Sequence, residues 1–97
     1  MPDYSVYFHP SASEEAEIAR GWYAERSDMA ARTFILELAH AVDMIVESPH
    51  RWPKYQEKTR RYIFPRYPFS VVYRIVGGVI EIIAIAHHRK KPGYWTS

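Results

Sequence analysis

Two β-rich runs joined by a pair of glycines constrain the fold of this chain more than any other feature. The runs are FSVVYRIV, residues 69–76, and VIEIIAIAH, residues 79–87, with only Gly77 and Gly78 between them. Tight turns between antiparallel strands need positive φ angles, which glycine adopts without strain, so this spacing is a strong hairpin signal. The second run is apolar on both faces except at Glu81, which is typical of a central strand with helices over one face. The sequence therefore predicts an antiparallel strand pair near the centre of a sheet.

Two further runs have the composition of strands. RRYIF, residues 60–64, is separated from the first run of the hairpin by the turn candidate PRYP, which favours another hairpin neighbour. YSVYF, residues 4–8, is rich in β-formers and ends before Pro10. Residues 49–59 contain two prolines and little periodicity, and we expect a surface loop there.

A first helix is predicted after the opening strand. Ser11 and Glu14 have the spacing of a capping box, and acidic residues are frequent in the turn that follows. Gly21 weakens this prediction, because glycine costs about 1 kcal/mol relative to alanine inside a helix. Four residues recur at helical intervals: Ala12, Ala16, Ala19 and Tyr23.

A second helix begins at a new N-cap, for which Ser27 and Asp28 are the two candidates. We expect it to end near Ser48, because Pro49 follows. The short connection predicts that the two helices pack as an antiparallel hairpin. Five apolar residues with helical spacing form its predicted buried stripe: Ala31, Phe34, Leu38, Ala41 and Ile45. Ile35 and Val42 are predicted to widen that stripe.

The order of elements is therefore βααβββ, which predicts an α+β fold with a helical hairpin packed on a mainly antiparallel sheet. With 97 residues, we expect residues 1–97 to form a single small domain. The chain has no cysteine, which excludes disulfide frameworks, thiolate zinc sites and cysteine nucleophiles and favours the cytoplasm. No export signal and no run of about 18 apolar residues is present, so we predict no membrane partner.

Charge divides the chain into an acidic and a basic half. Residues 1–50 hold 3 Lys/Arg against 9 Asp/Glu, a balance of −6, and residues 51–97 hold 10 against 2, a balance of +8. Such asymmetry indicates a basic face for a polyanion or an acidic partner protein. The alternative is that the two halves neutralise each other in the fold.

Seven cations lie on or beside the three C-terminal strands, and strand pairing would gather several of them at one end or one face of the sheet. Arginine forks match phosphate oxygens, whereas a row of exposed cations also keeps strand edges soluble, and both interpretations stay open. The aromatic residues of this half, including Tyr94 and Trp95, suit base stacking or a protein interface. The cations are Arg60, Arg61, Arg66, Arg74, Arg89, Lys90 and Lys91.

His87 and His88 are adjacent, so on a strand they would point to opposite faces of the sheet. The other histidines are scattered along the chain at positions 9, 40 and 50. We therefore predict no metal site, because a metal needs several ligands at one point, and we expect no cofactor. Either histidine is a candidate general acid or base, since the ordinary pKa of histidine is about 6.5, or else a solvated residue at the end of a strand.

Four phrases in register, spread over nearly the whole chain, resemble the RelE/ParE superfamily of bacterial toxins, and within it the ParE-like branch. They are HPSASEEAEIARGWY after the opening strand, FILELAHAVDMIVESPHRWP, RRYIFPRYPFSVVYRI and IEIIAIAHHRKKPGYW. The last phrase is similar to the terminal pattern of that family, an apolar strand followed by histidine, cations, proline and an aromatic residue. Here the pattern falls on His87, Arg89, Lys90, Pro92 and Trp95.

The resemblance implies a toxin of a type II toxin–antitoxin system, with a cognate antitoxin that wraps around it. ParE-like members typically inhibit DNA gyrase, so the first hypothesis is a non-enzymatic gyrase poison. In that interpretation, the seven cations together with Tyr94 and Trp95 bind the target or the antitoxin. A homodimer through Leu36 or Met44, or a toxin–antitoxin hetero-oligomer, is also compatible with the sequence.

RelE-like members cut messenger RNA on the ribosome, and this is the second hypothesis. It would use His87 or His88 as base or acid, Arg61 and Arg74 to stabilise charge, and Tyr94 as an auxiliary proton donor. The chain departs from those members because it ends in GYWTS rather than in a catalytic histidine or tyrosine, and because it lacks their lysine-dense surface. The third hypothesis is a ParE-like protein that binds its antitoxin but is not toxic.

Overall fold

The computed structural model describes residues 4–96, in which two helices pack on one face of a four-stranded sheet. This is the α+β fold and the βααβββ order that the sequence predicts. A short 3₁₀ turn, Tyr94–Thr96, follows the last strand. The elements are β1 Ser5–Phe8, α1 Pro10–Ala24, α2 Asp28–Glu47, β2 Arg60–Ile63, β3 Phe69–Val76 and β4 Val79–His87.

The sheet has the strand order β1-β4-β3-β2, so β4 is a central strand, as predicted. β4 pairs antiparallel with β3, β3 pairs antiparallel with β2, and β1 runs parallel to β4. Val76 pairs with Val79 across the Gly-Gly connection, which confirms the two-residue hairpin. Gly77 has a φ of 59°, as the first central residue of a type II′ turn requires.

Helix α1 begins two residues earlier than the capping box suggests. His9 is the N-cap, its side chain makes no capping hydrogen bond, and Pro10 occupies the first helical turn. The predicted capping role of Ser11 is therefore wrong, because the fixed φ of proline suits the first helical position and Ser11 lies within the helix. The three alanines of the predicted stripe are buried, so this helix approaches the sheet closely.

Helix α2 begins as predicted, because the Ser27 side chain accepts a hydrogen bond from the N–H of Ala30 at 3.1 Å. It ends at Glu47, as expected from Pro49. All five residues of the predicted stripe, Ala31 to Ile45, are buried. Ile35 does not widen that stripe, since 40% of it is exposed, whereas Val42 packs at the edge of the core.

The structure also bears on the predicted loop, on the two residues predicted to form a dimer contact, and on membrane spanning. The segment 49–59 has no helix, and its one β-bridge joins Lys54 to Arg60, so it is the expected loop. Leu36 is 68% exposed, whereas Met44 is half-buried against the core. Within residues 4–96, neither helix combines the length and the apolar character needed to cross a bilayer.

Candidate functional site

A β-bulge in β4 decides which side chains reach which face of the sheet. Val72 pairs with Ala84 but Tyr73 pairs with Ile82, so Ile83 is an extra residue in β4. The helix face carries Val71, Tyr73 and Ile85, which belong to the core beneath the helices. The face that carries Val72, Ala84 and Ala86 forms a separate small cluster, and we call it the tail face.

His87 and His88 lie on opposite faces, as their adjacency predicts. The His87 ring packs edge-on against Phe69 with ring centroids 5.0 Å apart, on the helix face. His88 Nε2 lies 3.0 Å from the hydroxyl oxygen of Ser70, which pairs with Ala86 on the tail face. The two imidazoles therefore cannot act on one substrate atom from the same side of the sheet.

The chemical state of His87 follows from its surroundings. Burial lowers the pKa of His87, and the positive charges of Arg89 and His88 lower it further. Its Nδ1 accepts a hydrogen bond from the backbone N–H of Arg89 at 3.0 Å, which leaves the proton of the neutral ring on Nε2. The His87 ring is thus neutral near neutral pH. Its donor atom is Nε2, on the opposite side of the ring from the Nδ1 that contacts the Arg89 backbone.

Beyond β4, Tyr94 and Trp95 of the segment 88–96, which we call the tail, pack back against the sheet, while residues 88–92 are exposed. The Tyr94 hydroxyl donates to Oε2 of Glu15 on α1, and the Ile85 N–H donates to Oε1 of the same carboxylate at 2.9 Å. Burial raises the pKa of Tyr94, and its hydrogen bond to Glu15 raises it further. A phenol held in this state is a poor proton donor for an auxiliary catalytic role.

Aromatic side chains attach the tail to the tail face. Tyr55, Tyr94 and Trp95 pack on the cluster of Val72, Ala84 and Ala86. The Arg61 guanidinium lies over the Tyr55 ring at 4.2 Å from its centroid, and the centroids of the Tyr55 and Trp95 rings are 5.8 Å apart. Trp95 and Arg61, both predicted to bind a target, therefore contribute to the internal packing of this face.

The seven cations do not gather into one cluster. Arg66 forms an ion pair with Glu37 of α2 at 2.6 Å, and Arg74 forms one with Glu81 at 2.6 Å on the tail face. Arg60 donates from Nη1 to the carbonyl oxygens of residues 50 and 52. The three cations of the tail, Arg89, Lys90 and Lys91, follow one another in the sequence and are exposed. Strand pairing sends neighbouring positions to different faces, and carboxylates pair with two of the arginines, Glu37 of the acidic half with Arg66 and Glu81 of the basic half with Arg74. Both interpretations of the cations, a binding surface and a soluble strand edge, therefore stay open.

A groove of about 640 Å³ lies between α1, the end of β4 and the tail. On α1, Ile18 is 65% exposed and Trp22 is 52% exposed, so apolar surface faces solvent along one wall. At the tail end, the Lys90 ammonium lies 5.0 Å from the Tyr94 ring centroid. The groove is lined by Glu15, Ile18, Ala19, Trp22, Tyr23, Pro68, Phe69, Ile85, His87, Arg89, Lys90 and Tyr94.

The family described as the ParE toxin of the type II toxin–antitoxin system parDE matches residues 6–92, which include all four strands and both helices. This chain belongs to the ParE toxin family. A solved structure of the chromosomal ParDE toxin–antitoxin system from P. aeruginosa is similar, with a TM-score of 0.78 over 90% of this chain and 98% of that chain at 18% identity. At that identity the likeness shows the ParE fold alone. A search among curated proteins found no match.

In this ParE family member, the five residues of a hypothetical nuclease site are divided between the two faces. His87 lines the groove on the side of α1, whereas Arg61, Arg74 and His88 lie on the tail face or its rim. Tyr94 lies between the two, because it lines the groove and also packs on the tail-face cluster. No group of three metal-ligating side chains lies together in the described residues, 4–96.

Sequence reasoning missed Glu15, which joins α1 to β4 and to the tail. A signal was present, because Glu15 lies three residues after Ala12 and four before Ala19, on the buried stripe of α1. A carboxylate at such a position needs hydrogen-bond donors from the neighbouring element, and the sheet and the tail supply them.

The lowered pKa of His87 predicts a pH dependence of stability. The unfolded chain binds the His87 proton near the ordinary pKa of about 6.5, and the folded chain binds it only at lower pH, so the free energy of unfolding falls as pH drops through that value. His87→Gln is expected to reduce the stability lost between about pH 7.5 and about pH 5.5, measured by urea unfolding. His40→Gln, at an exposed position of α2, is the control, and equal pH slopes in the parent and both variants would contradict the assignment.

Proposed function

We propose that this chain is a growth-inhibiting toxin that poisons DNA gyrase and that is neutralised by an antitoxin seated in the groove. Membership of the ParE toxin family over residues 6–92 is the observation that carries the proposal, because the match spans both helices, all four strands and part of the tail. ParE-like members typically act on gyrase. The mechanism is a protein–protein contact, and it requires no bond to be made or broken by the toxin itself.

The division of the candidate nuclease residues supports gyrase over RNA as the target. Cleavage of RNA by its 2′-hydroxyl needs a base, an acid and cationic stabilisation around one phosphate. In this chain His87 and Arg61 act on different sides of the sheet, and the Tyr94 phenol is committed to Glu15. The tail cations Arg89, Lys90 and Lys91 remain available for a protein contact.

The groove has the chemistry that an amphipathic, acidic antitoxin segment would need. Ile18 and Trp22 offer an apolar wall on α1, and Arg89 and Lys90 supply positive charge at the tail end. Apolar side chains of a partner helix can fill such a groove while its carboxylates meet the cations. Disordered antitoxin segments that fold on binding use this mode of recognition.

Backbone hydrogen bonding favours a helix over an added strand in this groove. β1 pairs with β4 only as far as Ile82, so the edge of β4 beyond that residue is covered by α1 and not by a strand. The Ile85 N–H, which an added strand would need, already donates to Glu15. The partner segment is therefore proposed to bind through its side chains.

Purified gyrase tests the proposal directly. Micromolar toxin is expected to stop supercoiling and to trap cleaved DNA, and antitoxin added beforehand is expected to restore supercoiling. Lys90→Glu should raise the inhibitory concentration about tenfold or more, since it reverses a charge at the proposed contact. Arg32→Glu, an equal charge change on exposed α2 surface, is the matched control.

Three outcomes would count against gyrase poisoning. If supercoiling continues at micromolar toxin and no cleaved DNA is trapped, gyrase is not the target. Messenger RNA cut in a translation extract, and spared by Arg61→Ala, would favour the ribonuclease. Unimpaired growth after induction of the chain alone would favour a protein that binds its antitoxin without being toxic.

A further inference from the structure

A second cavity, of about 400 Å³, lies where the loop 53–59 meets the ends of β2 and β3. Five of its eight lining residues are basic, and we call this cavity the basic pocket: His50, Lys54, Lys58, Arg60 and Arg74. No carboxylate residue lines it, and Glu57, the single acidic residue of the loop, is not among the lining residues. It lies away from the groove and shares no lining residue with it.

Two arginines of the basic pocket are held in place by the protein. Arg60 Nη1 donates to the His50 carbonyl oxygen at 3.0 Å and to the Trp52 carbonyl oxygen at 2.7 Å. Arg74 Nε donates to Oε1 of Glu81, which is not a lining residue, at 2.6 Å. Because each guanidinium carries five N–H donors, both retain donors for a ligand, and their restricted motion lowers the entropy lost on binding.

The two lysines are not neutralised. Across residues 4–96, neither Lys54 nor Lys58 has a carboxylate within 4 Å. The loop that carries them is closed by hydrogen bonds from the Tyr55 N–H to the Thr59 carbonyl oxygen and from the Thr59 N–H to the Gln56 carbonyl oxygen, each 2.8 Å long. The pocket therefore presents positive charge from a closed loop.

The backbone of that loop is strained at Lys58, one of the two pocket lysines, and at the residue before it. Glu57 has a φ of 48° and Lys58 a φ of 62°, a left-handed conformation that non-glycine residues seldom adopt. Such conformations persist where the surrounding contacts impose them, and they concentrate at binding and switch segments.

We propose that the basic pocket binds backbone phosphates of duplex DNA without reading its sequence. The forked guanidinium groups of Arg60 and Arg74, beside two lysines without a carboxylate partner, match phosphate oxygens. The one tyrosine of the lining, Tyr55, has the Arg61 guanidinium over its ring at 4.2 Å and the tail against it, so it offers no open face for a base to stack. The choice of DNA over RNA rests on the proposed function, since gyrase holds a DNA duplex where the toxin would act.

Direct binding of a labelled 20-base-pair duplex, without gyrase, tests this site. Affinity is expected to fall with salt, and the double variant Lys54→Gln/Lys58→Asn should lower the slope of log K against log salt by about 2, equally for unrelated sequences. Asparagine tolerates positive φ at position 58, so this variant keeps the loop conformation. Arg32→Glu removes the same net charge from α2 and should leave the slope within about 0.5 of the parent.

Each result separates this site from the proposed function. Equal slopes in the double variant and in Arg32→Glu would overturn the site, and so would an absence of duplex binding at low salt. Tighter binding of an RNA duplex of the same length would assign the phosphates to RNA and overturn the DNA proposal. Because the binding assay contains no gyrase, these results would not count against gyrase poisoning. A failed supercoiling test, in turn, would not count against binding of duplex DNA by the basic pocket.

Discussion

Phe34→Ala is expected to lower the free energy of unfolding by about 4 kcal/mol. Phe34 is fully buried at the junction of α2 with α1 and the sheet. Its ring centroid lies 5.6 Å from Tyr23, 5.7 Å from Phe64 and 5.4 Å from both Tyr67 and Phe69. Truncation removes four aromatic contacts at once and leaves a cavity that rings of neighbouring elements cannot fill without moving their backbones.

Urea unfolding measures this loss, provided that the m-value stays constant. Ile35→Ala is the matched control, because Ile35 is the next residue of α2 and lies on its exposed side, so the expected loss is about 0.5 kcal/mol. Equal losses at the two positions would contradict the assignment of Phe34 to the centre of the core. Small domains have a total stability of about 5–15 kcal/mol, so Phe34→Ala should also reduce toxicity through loss of folded protein.

The sequence specified the elements that depend on local patterns. The stripe from Ala31 to Ile45 follows the period of a helix, and the Gly-Gly pair fixes the hairpin register, so both were predictable. The bulge at Ile83 was not, because an extra residue leaves no mark in a strand whose residues are apolar on both faces. Without the bulge, Ile85 and His87 would have exchanged faces with Ala84 and Ala86.

The candidate site was less predictable because its contacts join distant parts of the chain. The opposite orientation of His87 and His88 follows from adjacency alone. The ion pair of Arg66 with Glu37 and the bond from Tyr94 to Glu15 link the basic half to the acidic half, which is the neutralisation left open by the charge asymmetry. Periodicity gives the face of a side chain, but it does not give its partner on another element.

The attachment of the tail leads to the second large effect. The Glu15 carboxylate is the link that joins α1, β4 and the tail, because its two oxygens accept from the Ile85 N–H and the Tyr94 hydroxyl. Packing supplies the rest of the attachment through Trp95, whose indole N–H is buried with no hydrogen-bond partner in residues 4–96. Because the buried indole N–H of Trp95 has no partner, its burial costs free energy and the aromatic packing holds the tail only weakly. The Glu15 carboxylate should therefore control whether the tail stays in place.

Glu15→Ala is therefore expected to lower the free energy of unfolding by about 3 kcal/mol, since two hydrogen bonds to a charged group are lost together. Glu15→Gln keeps one acceptor oxygen and should lose about half as much. Glu14→Ala, at the exposed neighbouring position, should change stability by less than about 0.5 kcal/mol. Urea unfolding gives the three values, and a Glu15→Ala loss no larger than that of Glu14→Ala would show that the carboxylate does not join these elements.

The same variants separate a structural tail from a binding tail. If Tyr94 and the tail cations form one end of the groove, Glu15→Ala should weaken antitoxin binding even where the variant is fully folded, because Arg89 and Lys90 lose their fixed position beside Ile18 and Trp22. Trp95 fluorescence should shift to longer wavelength in the same folded variant, since the indole leaves the cluster of Val72 and Ala84. A folded Glu15→Ala variant with unchanged fluorescence and unchanged antitoxin affinity would mean that packing alone positions the tail, and the groove would then be independent of the acidic half of the chain.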